Sequence, residues 1–176
     1  MRHWPRLFSI LSIFSGLIST AYAAAENNHS EWRAARDSEL REIIPARAPV
    51  EKERIETEFR TASGITDGKG KYVAGVVLIT AGYAAEGKYS HFLIAQVPVK
   101  IGQLQLSPGE YVFGWQRGED ALTVKFYNAQ TGVFLGEVTA ERVNRTGRIE
   151  SFHIYPPGGK PLIQIGRFAM AYEIGE

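Results

Sequence analysis

Short apolar segments separated by turn residues fill the chain from Lys71 onward, and this pattern limits the fold more than any other feature. Tyr72–Thr80 carries valine, isoleucine and leucine on both faces, which is typical of a strand buried on both sides. Turn residues such as those at 107–109 and 156–159 recur at hairpin spacing, because proline presets φ and glycine accepts positive φ. We therefore predict a mainly β protein, either an antiparallel β-sandwich or a small barrel, of about eight to nine strands.

Residues 51–60 fit two periodicities. Ile55 and Phe59 are four residues apart, as on one face of a helix. Uncharged and charged residues also alternate from Ile55 to Thr61, as on a half-buried strand. The glycine-containing turn at 67–70 leads directly into the next strand, so we favour a strand.

Residues 26–49 differ from the rest and predict one short N-terminal helix followed by a linker. Ser30 is a suitable N-cap for a helix that begins at Glu31, and Pro45 ends it. By length, residues 50–176 predict a single β domain. Three apolar residues at helical spacing should pack the helix on that domain: Trp32, Leu40 and Ile44.

The first 25 residues, 1–25, have the pattern of a secretory signal peptide. A positively charged start precedes an apolar run from Leu7 to Ile18, and Ala21-Tyr22-Ala23 supplies the small-x-small pattern that a signal peptidase cuts. The run is shorter than the ~20 residues that a membrane-spanning helix needs. We predict cleavage after residue 23 or 25 and a periplasmic or secreted protein with no membrane span afterwards. An outer-membrane barrel is disfavoured, because most of the segments are shorter than the ~9–11 residues of a spanning strand.

Cysteine content and charge narrow the function classes. The chain contains no cysteine, so we expect no thiol catalysis, no cysteine-ligated metal and no lipid anchor. The formal net charge of +1 becomes −1 when Arg2 and Arg6 leave with the leader. Basic residues are interspersed with acidic ones, so we expect no nucleic-acid partner. Arg167 is interpreted as a structural residue that pairs with Glu150 or Glu173.

Local motifs for nucleotides, metals and catalytic nucleophiles are absent from the sequence. It lacks G-x-x-x-x-G-K-[ST], G-x-G-x-x-G and G-x-S-x-G. His29, His91 and His153 form no H-x-x-x-H or H-x-H pair. We therefore predict no metal, no cofactor and no catalytic residues.

The Thr80–His91 segment is the richest in polar chemistry and is long for a hairpin connection. Loops on rigid β scaffolds commonly carry binding groups. The simpler interpretation, which we favour, is a surface loop closed by tyrosine packing. A binding loop would engage a small molecule, a glycan or a protein. Its ligand-binding candidates are Tyr83, Glu86, Lys88, Tyr89 and His91.

Three aromatic residues, Tyr111, Phe113 and Trp115, occupy alternate positions of one predicted strand. Alternate positions share a face, so the three rings should lie in a row. Such a row usually belongs to the core. An exposed Trp115 at its end would instead be a sixth ligand-binding candidate.

The segment Leu104–Phe113 contains the sequence Leu-Ser-Pro-Gly-Glu-Tyr, an L-x-P-G-x-Y pattern. It resembles a hairpin of exported bacterial β-sandwich modules, including transthyretin-like and carboxypeptidase-regulatory-like domains. Residues 129–136 are similar to turn sequences of the same modules. The resemblance implies a β fold and an accessory or binding role, and it implies no catalytic residue.

Two functions remain open from the sequence. The first is a non-catalytic exported binding or structural module, which predicts an exposed aromatic or apolar patch or a concave face, without clustered ionisable groups. The alternative is a small periplasmic hydrolase or lyase that uses the 80–91 loop. It predicts a carboxylate within hydrogen-bond reach of His91, in a cleft with a perturbed pKa. We favour the first.

Overall fold

The computed structural model describes residues 32–80, 88–144 and 149–175. The predicted signal peptide at 1–25 lies outside these residues and stays a prediction. Within the described ranges the chain forms one α-helix, α1 (Asp37–Ile43), and thirteen β-strands. The strands are β1 (Arg33–Ala34), β2 (Arg47–Val50), β3 (Glu53–Thr66), β4 (Tyr72–Leu78), β5 (His91–Ala95), β6 (Val99–Ile101), β7 (Leu104–Leu106), β8 (Gly109–Arg117), β9 (Ala121–Asn128), β10 (Phe134–Arg142), β11 (Phe152–Ile154), β12 (Leu162–Ile165) and β13 (Phe168–Ile174).

The strands pair antiparallel in the order β1-β3-β4-β5-β8-β9-β10-β13-β12-β11, with β2 on β3 and the β6–β7 hairpin on β13. The last strand of this order, β11, returns to lie beside β3. The sheet is therefore nearly closed into a barrel. The prediction of a mainly β, antiparallel fold with one short helix is confirmed, and the barrel is the alternative that is observed.

A side chain bridges the seam between β3 and β11. Ser63 of β3 is buried, and its Oγ accepts a hydrogen bond of 2.9 Å from the backbone N–H of Ile154 in β11. The same Oγ lies 3.4 Å from Nδ1 of His153. A single serine therefore satisfies a backbone donor at the point where the sheet closes on itself.

The central strands are buried on both faces, which agrees with the composition of Tyr72–Thr80. Their inward side chains form the barrel core, which includes Leu93 and Phe113. The outward faces of β3, β4, β5 and β8 pack against α1 and β2 in a second cluster, the outer cluster, which includes Leu40 and Phe92. Two separate cores thus fix the same strands from opposite sides.

The helix begins at Asp37 rather than at Glu31, because residues 33–34 pair with β3 as β1. The carboxylate of Glu39 fixes this start by accepting a hydrogen bond of 2.7 Å from the backbone N–H of Arg36. The predicted cap, Ser30, lies outside the described residues. Three apolar residues attach this segment to the domain: Trp32, Leu40 and Ile44.

The thirteen strands of the described chain exceed the predicted eight or nine, because several are only two to four residues long. Residues 99–106 form a hairpin rather than one strand, because β6 and β7 pair around Gly102, whose φ is 56°. Residues 47–49, predicted as linker, pair with β3 together with Val50 as β2. Pro49 is tolerated there because β2 pairs on one side and leaves its other edge free.

The β6–β7 hairpin closes one end of the barrel. Residues 99–101 pair with the last residues of β13, and Val99, Ile101 and Leu106 join the barrel core. The opposite end of β13, at Phe168, pairs with the end of β10 and lies where the candidate site is found.

We expect the substitution Ser63→Ala to destabilise the protein by about 1–3 kcal/mol, because it leaves a buried backbone N–H without its acceptor. The free energy of unfolding from urea denaturation measures this change. Ser107→Ala, in an exposed turn, is the matched control and should leave stability nearly unchanged. Equal stability of the two variants would contradict a bonding role for Ser63 at the seam.

Candidate functional site

A cavity of about 520 Å³ lies at the end of the barrel opposite the β6–β7 hairpin. The ends of β4, β8, β10 and β12 and the beginnings of β5, β9 and β13 surround it. Small-molecule sites commonly have volumes of roughly 300–1,000 Å³. We call it the mouth cavity, and its apolar lining includes Val77, Trp115, Leu122, Ile149, Ile165 and Phe168.

Strand alternation brings Trp115 to this cavity. Tyr111, Phe113, Trp115 and Arg117 follow one another at every second position of β8, whose pairing with β9 has no register shift. Tyr111 and Phe113 are buried in the barrel core, whereas Trp115 is 37% exposed. The predicted row of aromatic residues thus begins in the core and ends at the mouth cavity.

Below the apolar walls, His91 forms part of the cavity lining and is only 4% exposed. Its ring stacks on Phe113 with a centroid distance of 4.8 Å and an interplanar angle of 9°. The ring of Phe152 is tilted by 53° against the His91 ring, with a centroid distance of 5.3 Å, and its centroid lies 6.1 Å from that of Phe113. The ring of Phe152 crosses β4 at Gly75, where a β-carbon would lie 2.8 Å from its Cζ. Glycine is therefore required for this aromatic floor.

The buried surroundings of His91 make its imidazole a poor proton acceptor. Its Nδ1 lies 2.8 Å from Oγ of Ser90, and its Nε2 is buried without a hydrogen-bond partner among the described residues. No carboxylate of those residues pairs with the ring within 4.0 Å. Burial lowers the pKa of His91 to about 3, so the imidazole is neutral near pH 7.

Three arginines border the mouth cavity. Arg117 and Arg142 are the last residues of β8 and β10, and Arg167 lies in the two-residue turn between β12 and β13. The positive φ of Gly166, 57°, shapes that turn. The guanidinium carbon of Arg117 lies 5.9 Å from the ring centroid of Phe168. In the described part of the chain, the cavity lining contains no acidic residue and none of the three arginines forms an ion pair.

The six predicted ligand-binding residues do not form one group. His91 and Trp115 both line the mouth cavity. Tyr83 and Glu86 lie outside the described residues. Lys88 and Tyr89 lie elsewhere, against Glu51 and the outer cluster.

Lys88 and Tyr89 make contacts that stabilise the fold rather than line the mouth cavity. The Tyr89 hydroxyl donates to Oε1 of Glu51, and the Lys88 ammonium lies 3.5 Å from the same oxygen. The hydrogen bond from Tyr89 lowers the pKa of Glu51, and burial raises the pKa of Tyr89. The ring of Tyr89 also meets Tyr127 edge-on at 5.4 Å. These contacts hold the end of the loop against the turn between β2 and β3.

The three arginines of the mouth cavity were not among the predicted site residues, and a binding module was expected to lack clustered ionisable groups. Among the described residues, Arg167 pairs with neither Glu150 nor Glu173, in contrast to the prediction. Glu173 lies near the far end of β13, where it is 3.5 Å from Lys100 of β6. The positions of Arg117 and Arg142 could have been read from alternation, since each follows two inward-facing residues of its strand. Alternation could not have predicted that these arginines border one cavity, because that depends on the closure of the barrel.

A second, polar groove of about 380 Å³ adjoins the mouth cavity and shares Ile149 and Ser151 with it. Its charged residues include Glu58 and Arg60, which pair with each other at 2.9 Å. This pairing satisfies both charges within the protein. The groove is therefore a weaker candidate than the cavity.

Two further features bear on the class of site. Across the described ranges, His, Asp and Glu residues form no group of three or more that could hold a metal ion. No helix in the same ranges is long and apolar enough to cross a membrane.

No protein-family model, no curated protein and no solved structure matches the chain. The resemblance of the L-x-P-G-x-Y segment to exported β-sandwich modules therefore stays a prediction. We therefore assign the mouth cavity as the candidate functional site from its geometry and charge alone.

We expect acid to destabilise the protein partly through His91. Its pKa of about 3 lies below the ordinary value of 6.5, so the unfolded chain binds this proton first as the pH falls. The stabilising contribution is complete above pH 6.5 and is lost as the pH falls toward 3. In this window, the free energy of unfolding should decrease as the pH falls. The His91 imidazole should make this slope steeper by up to about 1.4 kcal/mol per pH unit.

Urea denaturation at several values between about pH 4 and 6 gives this slope for the wild type and for His91→Phe. Phenylalanine keeps a ring on Phe113 but cannot titrate, so the variant should show the shallower slope. Above pH 7 the two slopes should agree, since the imidazole is then neutral in both states. Identical slopes throughout would contradict a neutral, buried His91.

Proposed function

We propose that the protein is an exported, non-catalytic binding module that holds a small molecule in the mouth cavity. The observation that carries this proposal is a preformed cavity of about 520 Å³ with apolar walls at one end of a barrel whose other end is filled by the β6–β7 hairpin. Cavities that bind small molecules typically combine such walls with a few polar groups that orient the ligand. Here Trp115 and Phe168 offer ring surfaces, and the bordering arginines are the polar groups.

The alternative of a small hydrolase or lyase has one supporting contact, between Ser90 Oγ and His91 Nδ1 at 2.8 Å. A serine next to a histidine can act as a nucleophile and its base. A general base works best when its pKa lies near the working pH, and the pKa of His91 is about 3. The same hydroxyl also lies 3.3 Å from the backbone oxygen of Phe113. We therefore favour binding over hydrolysis.

Export is the second part of the proposal, and residues 1–25 support it. Their charged start, apolar run and Ala21-Tyr22-Ala23 segment have the order of a secretory signal peptide. We place the folded protein in the periplasm or outside the cell, where its ligand would be an extracytoplasmic small molecule.

The neutral, apolar fluorophore N-phenyl-1-naphthylamine tests binding in the cavity. We expect saturable binding at one site per molecule for the wild type. Ser151→Trp fills part of the cavity from its exposed rim and should weaken this binding by about tenfold, or about 1.4 kcal/mol. Ser107→Trp, in an exposed turn away from the cavity, is the control. A fluorophore that does not bind, or binds both tryptophan variants as well as the wild type, would contradict the proposal.

Cell fractionation and intact-mass spectrometry test whether the protein is exported. After expression of the full chain in a Gram-negative host, we expect a product in the periplasm or medium that lacks the first 23 or 25 residues. Leu11→Arg interrupts the apolar run and should retain the full-length chain in the cytoplasm, whereas Leu11→Ile should not. Recovery of wild-type protein with Met1 intact from the cytoplasm would contradict the localisation.

A further inference from the structure

The charges around the mouth cavity have one sign. Arg117, Arg142 and Arg167 come from three separate parts of the chain, and all three border the same apolar space. Each is exposed, so its guanidinium group can reach a ligand at the rim without being buried. Other exposed arginines, such as Arg47 and Arg54, also form no ion pair among the described residues. The distinguishing feature is that these three surround one cavity.

Acidic residues that adjoin the rim do not pair with its arginines. Glu119 and Asp120 lie in the exposed turn between β8 and β9, Glu141 precedes Arg142 in β10, and Glu150 lies in the adjoining polar groove. None of the four belongs to the cavity lining, and none pairs with a bordering arginine within 4.0 Å in the described part of the chain. The field at the cavity entrance therefore favours an anion.

The interior has the opposite character. Trp115, Leu122, Ile165 and Phe168 present apolar surface below the rim, and His91 beneath them is neutral. An ionised group placed among these side chains would lose its hydration without gaining a partner. A ligand that suits both regions has its charge at one end and an apolar body at the other.

We propose that the ligand of the mouth cavity is an organic anion with a single carboxylate or phosphate head and an apolar body. This inference rests on the proposed binding function and names its ligand class. The planar guanidinium group donates paired hydrogen bonds that match the geometry of carboxylate and phosphate oxygens. The head lies at the three arginines, and the body packs on the apolar lining. Arg117, which lies over the ring of Phe168, is adjacent to both regions.

A set of ten-carbon ligands separates the head from the body. Decanoate, decyl phosphate and decan-1-ol share one chain and differ in charge. Isothermal titration should show decanoate or decyl phosphate binding about tenfold more tightly than decan-1-ol at low salt. This advantage should shrink between about 0.02 M and about 0.5 M NaCl, whereas binding of the alcohol should not weaken.

Arginine variants test where the head binds. Arg117→Gln, Arg142→Gln and Arg167→Gln should each weaken binding of the preferred anion by about threefold to tenfold and leave decan-1-ol unchanged. Arg47→Gln and Arg54→Gln remove exposed arginines of β2 and β3 and are matched controls without effect. Thermal unfolding of every variant checks that the fold is retained, and we expect little change because all five side chains are exposed.

The possible results separate this inference from the proposed function. If the alcohol binds as tightly as both anions, or if the variants weaken all three ligands equally, the anion assignment is wrong. If N-phenyl-1-naphthylamine still binds and Ser151→Trp weakens that binding, the binding function survives that result. If neither the fluorophore nor any ten-carbon ligand binds, both proposals are wrong.

Discussion

The continuous antiparallel register from β4 to β9 is the constraint on which the rest of the structure depends. Val77 pairs with His91, His91 with Phe113, and Phe113 with Phe126, so four strands bring these residues to one level of the barrel. Side chains alternate with a period of two, and a slip of one residue would turn every inward side chain outward. The aromatic floor and the mouth cavity above it exist only in this register.

Burial on both faces is what holds that register in place. A strand with one buried face resists a slip through one set of contacts, whereas β4 and β5 would lose two sets at once. The outer cluster therefore contributes to the site although it does not touch it. The contact of Tyr89 with Glu51 acts in the same way, because it fixes the segment that enters β5 just before His91.

Sequence patterns predicted what depends on neighbours along the chain. The turn residues predicted the antiparallel fold, and alternation along β8 predicted the row of aromatic residues from Tyr111 to Trp115. Short pairings were missed, since β1 and β2 have no strand pattern of their own and form only because β3 offers an edge. The grouping of Arg117, Arg142 and Arg167 was missed for a similar reason. Only barrel closure brings those three positions together.

The separation of charge and apolar surface follows from the same architecture. Inside the barrel the effective dielectric is low, so an unpaired arginine at the level of His91 would be costly. At the strand ends, solvent removes most of that cost, and the guanidinium groups are exposed. Solvent screening also limits what each arginine contributes to binding. For the proposed ligand, we therefore expect most of the affinity to come from the apolar body, and the arginines to decide its orientation and the sign of its head.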